Sequence, residues 1–268
     1  MISNKIYDCI TFFRENFITN IRFEILKDVV DYFVVCESRY DHKNNKKNLN
    51  FKLVNPNIKK KLIYLVLDNP FPLDLNRWTR QAYQREYIFK GLMNTDKDDY
   101  VMFSDPDEIP NPALLKNFNL KKKFGIFLQK HFVYKFNIAN NYEYPWSGTR
   151  ICKLKNLKSF DYMRQKILLK NIKKWWRIDK EKSIEVINNG GWHFNNLFSV
   201  EEMSTKLKTF AHEEYEGEEF SNIEVIKKKV KERKDLFNRG WVFDKVNLDS
   251  SFPDYILNNQ EKFKDFID

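Results

Sequence analysis

Within residues 5–105, four short apolar runs, KIYDCITFF, DYFVVCES, KLIYLVLD and YVMFSD, alternate with two helical patterns, NIRFEILKDVV and RWTRQAYQREYIFKGLM. Runs that are apolar at nearly every position are strands buried on both faces, the condition of a parallel sheet covered by helices. The alternation predicts an α/β sheet for this half.

After Pro112 the pattern changes. FGIFLQKHFVYKF and TRICKLK have the length and mixed polarity of antiparallel strands, and GGWHFNNL follows. A helix is expected from near Ser199, where Ser199 and Glu202 have capping-box spacing. A basic helix is expected from Ser221 to Asn238, ended by Gly240. With 268 residues and neither repeat nor low-complexity linker, the chain reads as one domain, a nucleotide-type half (1–112) joined to a mixed half (113–268).

Composition narrows the function classes. At 42% hydrophobic and 16% aromatic residues the chain is a folding one. Its formal net charge of +10 favours anionic partners, but the lysines fall in dispersed groups (NIKKKL, LKKKF, VIKKKVKERK) of the kind that forms solvated faces. Cys9, Cys36 and Cys152 are too few and too scattered for a disulfide framework or zinc site, and buried free thiols are expected. No signal-peptide pattern or membrane-length apolar run is seen, so a soluble, cytoplasmic chain without stable membrane insertion is expected.

The sharpest local feature is YVMFSDPDEIPNP, residues 100–112, an apolar strand that runs directly into carboxylates. In open α/β sheets ligands lie beyond the carboxyl ends of the strands. Pro106 tightens the turn, so Asp105 and Asp107 can converge on one hard cation, which would remove both their repulsion and their desolvation cost. The alternative is a solvated acidic turn.

On the second helical pattern, a step of about 100° per residue puts Trp78, Ala82, Phe89 and Leu92 on one stripe with Arg85 in its middle. An arginine there must snorkel or meet an anion, either a phosphate or a carboxylate such as Glu37 or Asp105. His193 follows two glycines that permit close backbone approach, and His212 lies near a helix end. No dinucleotide fingerprint, P-loop or nucleophile elbow is present. The set suits a metal-held diphosphate better than a hydrolase triad.

These residues also carry a resemblance. KIYDCITFFRE (5–15), VVDYFVVCES (29–38), RQAYQREYIFKGL (80–92), FSDPDEIPNP (103–112), WSGTR (146–150), GGWHFNN (190–196), KLKTFAHEEY (206–215) and FPDYILNNQEKF (252–263) resemble, in order, blocks of glycosyltransferase family 17. Members of that family include bisecting N-acetylglucosaminyltransferases. The resemblance implies a GT-A type α/β fold, with a Rossmann-like nucleotide-binding half, a mixed sheet and a helical C-terminal part. It further implies a UDP-sugar donor, most readily UDP-GlcNAc, Mn²⁺ or Mg²⁺ dependence, and inversion at the anomeric carbon.

Carried onto this chain, the resemblance makes Asp105 and Asp107 the metal-holding pair, completed by His193 or His212, with Arg85 near the diphosphate or the acidic turn. Thr11, Phe12 and Glu37 fall where base and ribose contacts are usual. Trp146, Trp192 and Phe194 are candidates for a sugar platform. Glu213 and Glu108 are candidates for the base that deprotonates the acceptor hydroxyl. No anchor or stem of the animal enzymes is expected in this chain, and its Lys-, Asn-, Ile- and Phe-rich composition suits a microbial or viral source. Two other readings stay open, a UDP-galactose or UDP-glucose donor and a basic nucleic-acid-binding protein or metal-dependent nuclease. Dispersed lysines and the lack of a nucleic-acid-binding motif weigh against the second.

Overall fold

The structure, a computed structural model, describes residues 4–173, 176, 178–209 and 217–268. The first half runs β1 (Ile6–Phe12), α1 (Asn16–Leu26), β2 (Tyr32–Ser38), β3 (Leu62–Leu67), α2 (Arg77–Glu86), β4 (Tyr100–Phe103), β5 (Glu108–Pro110) and α3 (Pro112–Leu115). There follow β6 (Phe124–Val133), β7 (Ile138–Ala139), β8 (Trp146–Lys153), α4 (Phe160–Lys166), α5 (Leu169–Lys173), β9 (Ile184–Ile187) and β10 (Gly191–Asn195). The C-terminal part holds α6 (Val200–Thr209), α7 (Glu218–Ser221), α8 (Ile223–Lys231), β11 (Asp244–Lys245) and α9 (Asp254–Leu257).

The four apolar runs are the parallel strands β1 to β4, side by side in the order β3-β2-β1-β4. β8 adds antiparallel to β4, and β6 antiparallel to β8, so the second half continues the same sheet and makes it mixed. β10 lies parallel to β6 and antiparallel to β5. This is the α/β class expected, with a Rossmann-like parallel half and helices concentrated towards the C-terminus.

Both faces of the parallel half are covered. On one, Ile6, Ile10, Phe33 and Val35 pack with Ile18, Ile21 and Leu26 of α1 and with Ile256 of α9. On the other, Tyr7, Cys9, Val34, Cys36 and Val101 pack with Phe160 and Met163 of α4. All three cysteines are free and buried, and burial pushes the Cys36 and Cys152 thiols up to about 12.

Two expected helices are shorter than their patterns. α2 stops at Glu86 and gives way to 3-10 turns over Tyr87–Leu92. A Cβ on Gly91 would lie 2.6 Å from Val34 Cγ1, so glycine lets these turns sit close against the sheet. Trp78, in the first turn of α2, is 47% exposed instead of facing the core. The basic helix ends at Lys231, because Arg233 adopts φ 54° and the chain enters a loop organised by Asp235, which accepts the Phe237 and Arg239 amides. Gly240, at φ 80°, serves that loop rather than a helix end. The capping box at Ser199 forms as expected, with Ser199 Oγ accepting from the Glu202 amide and Glu202 accepting from the Ser199 amide.

One buried ion pair ties the first helix to the sheet. Arg22 of α1 donates to both carboxylate oxygens of Asp8 in β1, at 2.7 and 2.5 Å. It also donates to the carbonyl of Glu108 at 2.7 Å, to that of Asp105 at 3.3 Å, and to Ser104 Oγ at 2.8 Å. Removing one partner of a buried pair strands the other, so Arg22→Met is expected to cost about 3–5 kcal/mol, read as the loss of unfolding free energy in urea.

Candidate active site

The turn Asp105–Glu108 follows β4 at the carboxyl end of the parallel half. It opens on a cavity of ≈ 540 Å³. Backbone geometry sorts its three carboxylates. The Glu108 amide donates to the Asp105 carbonyl at 3.1 Å, closing the turn, and β5 then pairs with β10. That pairing sends the Glu108 side chain inward while Asp105 and Asp107 line the cavity.

Glu108 is completely buried and held on every side. Its carboxylate accepts from Trp146 Nε1 at 2.8 Å and from Arg164 at 2.9 Å, and the Asp105 amide lies at 3.3 Å. Burial alone would raise its pKa, but Arg164, His193 and Arg150 outweigh burial and lower it. A carboxylate so engaged is a structural anion, not a base open to an acceptor, and the candidate role of Glu108 in deprotonation does not fit its geometry.

The cation at the turn is Arg164 of α4, not Arg85. Arg164 bridges Asp105 Oδ2 at 2.7 Å and Glu108 at 2.9 Å. Burial opposes its charge, yet Asp105 and Glu108 more than offset burial and raise its pKa. Arg85 lines the same cavity but pairs with Asp161 at 2.9 Å and with Gln81 at 2.9 Å. Arg150 is buried against the carbonyls of Ser147 and Gly148, and burial brings it down to about 10, still charged near neutrality.

His193 lies beside Asp107, with Nε2 at 3.7 Å from Oδ2. Its ring stacks on Trp146 (4.5 Å) and on His131 (4.4 Å), its register partner on β6. Burial, reinforced by His193 and Arg239, pushes His131 down to about 2 and keeps it neutral. His131 Nε2 and His193 Nδ1 are buried with no hydrogen-bond partner among the described residues. Sequence reasoning passed over His131, which falls in the polar run Gln129-Lys130-His131 of β6, where strand alternation puts Gln129 and His131 on one face and Lys130 on the other.

Strand alternation also decides the aromatic candidates. On β10, His193 and Asn195 line the cavity, so Trp192 and Phe194 point the opposite way, into the core. Trp192 donates to the Ser251 carbonyl and Phe194 stacks on Phe132, which removes both from any sugar platform. Trp146 does line the cavity. Thr11 and Phe12, on the strand beside β4, line it with His42, whereas Glu37 is buried outside the lining, accepting from Lys47, Tyr64 and the amides of Asn50 and Phe51. Glu37 braces the loop after β2 and is not a ribose contact. His212 and Glu213 lie outside the described residues.

The residues at the turn suit a divalent cation. Asp105, Asp107 and Glu108 face two guanidiniums, Arg164 and Arg150, so the cluster retains one net negative charge. The side chain of Asp107 is only 14% exposed, and its carboxylate accepts no hydrogen bond from the described residues. A largely buried carboxylate that accepts no hydrogen bond, with His193 Nε2 3.7 Å away, is an oxygen and nitrogen donor pair of the kind a divalent cation takes. Among the described residues no three such side chains converge on one point.

The model of glycosyltransferase family 17 matches residues 1–267. The chain belongs to that family. This family 17 glycosyltransferase is 31% identical over 120 residues to the rat and human proteins named beta-1,4-mannosyl-glycoprotein 4-beta-N-acetylglucosaminyltransferase, a match covering 41% of this chain. The matched segment is 22% of the length of those relatives. Among solved structures, glucosyl-3-phosphoglycerate synthase from Mycobacterium tuberculosis with Mn²⁺, UDP and phosphoglyceric acid overlaps at TM-score 0.36 and 14% identity, over 71% of this chain and 70% of that one. The same enzyme with UDP-glucose gives TM-score 0.37 at 13% identity, covering 71% of each chain. No described helix of the family 17 chain is long and apolar enough to cross a membrane.

The Arg164 bridge has a measurable consequence. Arg164→Met leaves Glu108 buried without its counter-ion and is expected to cost about 3–5 kcal/mol. Adding Glu108→Gln removes the stranded charge. A double-mutant cycle by denaturant unfolding is therefore expected to show a coupling of about 1–3 kcal/mol, against near-additivity for independent sites.

Proposed function

We propose that this chain transfers a sugar, N-acetylglucosamine in the first instance, from a UDP-sugar to a hydroxyl of a glycan acceptor, with inversion and with a divalent ion at the acidic turn. The observation that carries this reading is the placement of Asp105 and Asp107 at the carboxyl end of β4, facing a cavity also lined by Thr11 and Phe12 of β1, the strand beside β4, and by the loop after β2. That is where a GT-A sheet would seat a nucleotide, and ≈ 540 Å³ accommodates one. Family membership supplies the reaction class, and the named relatives suggest the sugar.

Asp105 and Asp107 would hold the ion, with His193 the nearest further donor. When bound, the ion supplies Lewis-acid stabilisation of charge growing on the departing diphosphate. Arg164 holds Asp105 in place through their 2.7 Å ion pair, and its fixed positive charge faces the same cavity, where it would stabilise negative charge growing on the leaving group without reorganisation. Mn²⁺ and Mg²⁺ both suit the oxygen donors. Thr11, Phe12 and His42 would contact the nucleoside, and Trp146 would flank the transferred sugar.

Calorimetric titration of UDP tests this. UDP is expected to bind with Mn²⁺ present, and EDTA or Asp107→Ala is expected to weaken binding about tenfold or more, at least ~1.4 kcal/mol. Comparing UDP-GlcNAc, UDP-galactose and UDP-glucose then ranks the donors. No UDP binding under any metal condition would overturn the proposal.

A further inference from the structure

Among the described residues, five carboxylates line the cavity: Glu15, Asp41, Asp105, Asp107 and Glu143. Four are committed. Glu15 accepts the Phe13 and Arg14 amides at 2.9 Å, and Asp41 accepts from the Asn45 amide and side chain, both on loops leaving the parallel strands. Asp105 and Asp107 form the acidic turn. Glu143 stands apart, on the loop joining β7 to β8 in the second half of the chain.

Glu143 is oriented yet accessible. Asn140 Nδ2 donates to its Oε2 at 3.0 Å, and the neutral His131 has Nδ1 at 3.7 Å from the same oxygen. Arg239 approaches Oε1 only at 3.5 Å, being held by Asp235 at 2.7 Å. The Glu143 side chain remains 33% exposed. The stacked rings of His131 and His193 link its position to Asp107 along the cavity lining, so Glu143 reaches the cavity from the second half of the chain.

The same loop carries exposed aromatic surface. Tyr142 stacks parallel on Trp241 (centroids 4.9 Å apart, 2° between planes), and the Arg239 guanidinium lies 3.6 Å from the Trp241 centroid. Tyr142 is 54% exposed and Tyr144 59%. Tyr142, held in this way on the loop that brings Glu143 to the cavity, suits the apolar face of a sugar, and Tyr144 offers a second exposed ring on the same loop.

We propose that Glu143 takes the proton from the acceptor hydroxyl and that Tyr142 and Tyr144 form the acceptor-sugar platform. The inference rests on the transferase reading above. In the step, the hydroxyl proton passes to the Glu143 carboxylate as the acceptor oxygen forms its bond to the anomeric carbon. The bond from that carbon to the UDP oxygen breaks, and its electron pair leaves with UDP. Glu143→Gln keeps the size and the Asn140 contact but cannot accept the proton.

The experiment uses the full chain with Mn²⁺, measuring UDP affinity by calorimetry and UDP release from UDP-GlcNAc with water, mannobiose or chitobiose as acceptor. Glu143→Gln is expected to lower kcat about 10²–10⁴-fold while UDP affinity stays within about twofold of wild type, ~0.4 kcal/mol. Tyr142→Ala is expected to raise the KM for the saccharide with little change in kcat. Wild-type kcat in Glu143→Gln, or loss of UDP affinity in it, overturns the assignment. Failure of the wild-type chain to bind UDP overturns the transferase reading itself, and binding without release from any of these mixtures counts against both.

Discussion

The bidentate pair between Arg22 and Asp8 is the contact on which the arrangement of the site depends. Its guanidinium is wholly buried, and a buried charge is tolerable only when paired and hydrogen-bonded. Arg22 meets that condition by spending two donors on Asp8 and the rest on Ser104 Oγ and the carbonyls of Glu108 and Asp105. The carbonyls of the turn are thereby drawn inward to a cation, which leaves the Asp105 and Asp107 carboxylates facing the cavity. Repulsion between those carboxylates cannot relax by turning the backbone over, because doing so would strand Arg22.

A second layer of charge acts from the opposite side. Arg164 and Arg150 face Asp105 and Glu108, and Glu108 sits between the layers with its carbonyl accepting from Arg22 and Thr149 and its carboxylate from Arg164 and Trp146. Three acidic residues within four positions therefore do unlike things. Side-chain direction divides them: Glu108 is the first residue of β5 and points into the protein, whereas the two aspartates precede β5. Charge alone would have made all three equivalent.

That difference explains how far the sequence could be read. Buried strands announce themselves by unbroken apolar runs, so β1 to β4 and the acidic turn after β4 were legible, as was the capping box at Ser199. Long-range pairing was not. The argument applied to Arg85, that a cation on an apolar stripe needs an anion, applies equally to Arg22, which follows Ile18 by four residues and precedes Leu26 by four. Asp8, alone among apolar neighbours in β1, is the matching signal. Which arginine would reach the turn was beyond sequence reasoning, because Arg164 and Arg85 lie on separate helices, α4 and α2, that pack together, and only their packing assigns one to Asp105 and the other to Asp161. Glu37 and the aromatic pair Trp192 and Phe194 were misassigned for a simpler reason: position near a strand end or a glycine pair says nothing about which face a side chain takes. On β10 the period-2 rule, counted from His193, would have sent both aromatics to the core.

The same rule gives the cavity two chemically distinct walls. Carboxyl ends of the parallel strands offer small and aromatic groups, Thr11 and Phe12 with His42 nearby, and their carboxylates brace loops. β6 and β10, parallel and in register, bring His131 and His193 into a stack and leave the loop between β7 and β8 projecting beyond them. That loop is anchored at Asn140, whose amide donates to the His131 carbonyl and whose side chain reaches Glu143, while its aromatic tip stays exposed. An element rigid at its base and open at its tip can change the surface it presents without disturbing the turn that Arg22 holds. On the proposed roles, a change of acceptor is met by changing Tyr142 and Tyr144, while Asp105 and Asp107 stay as they are.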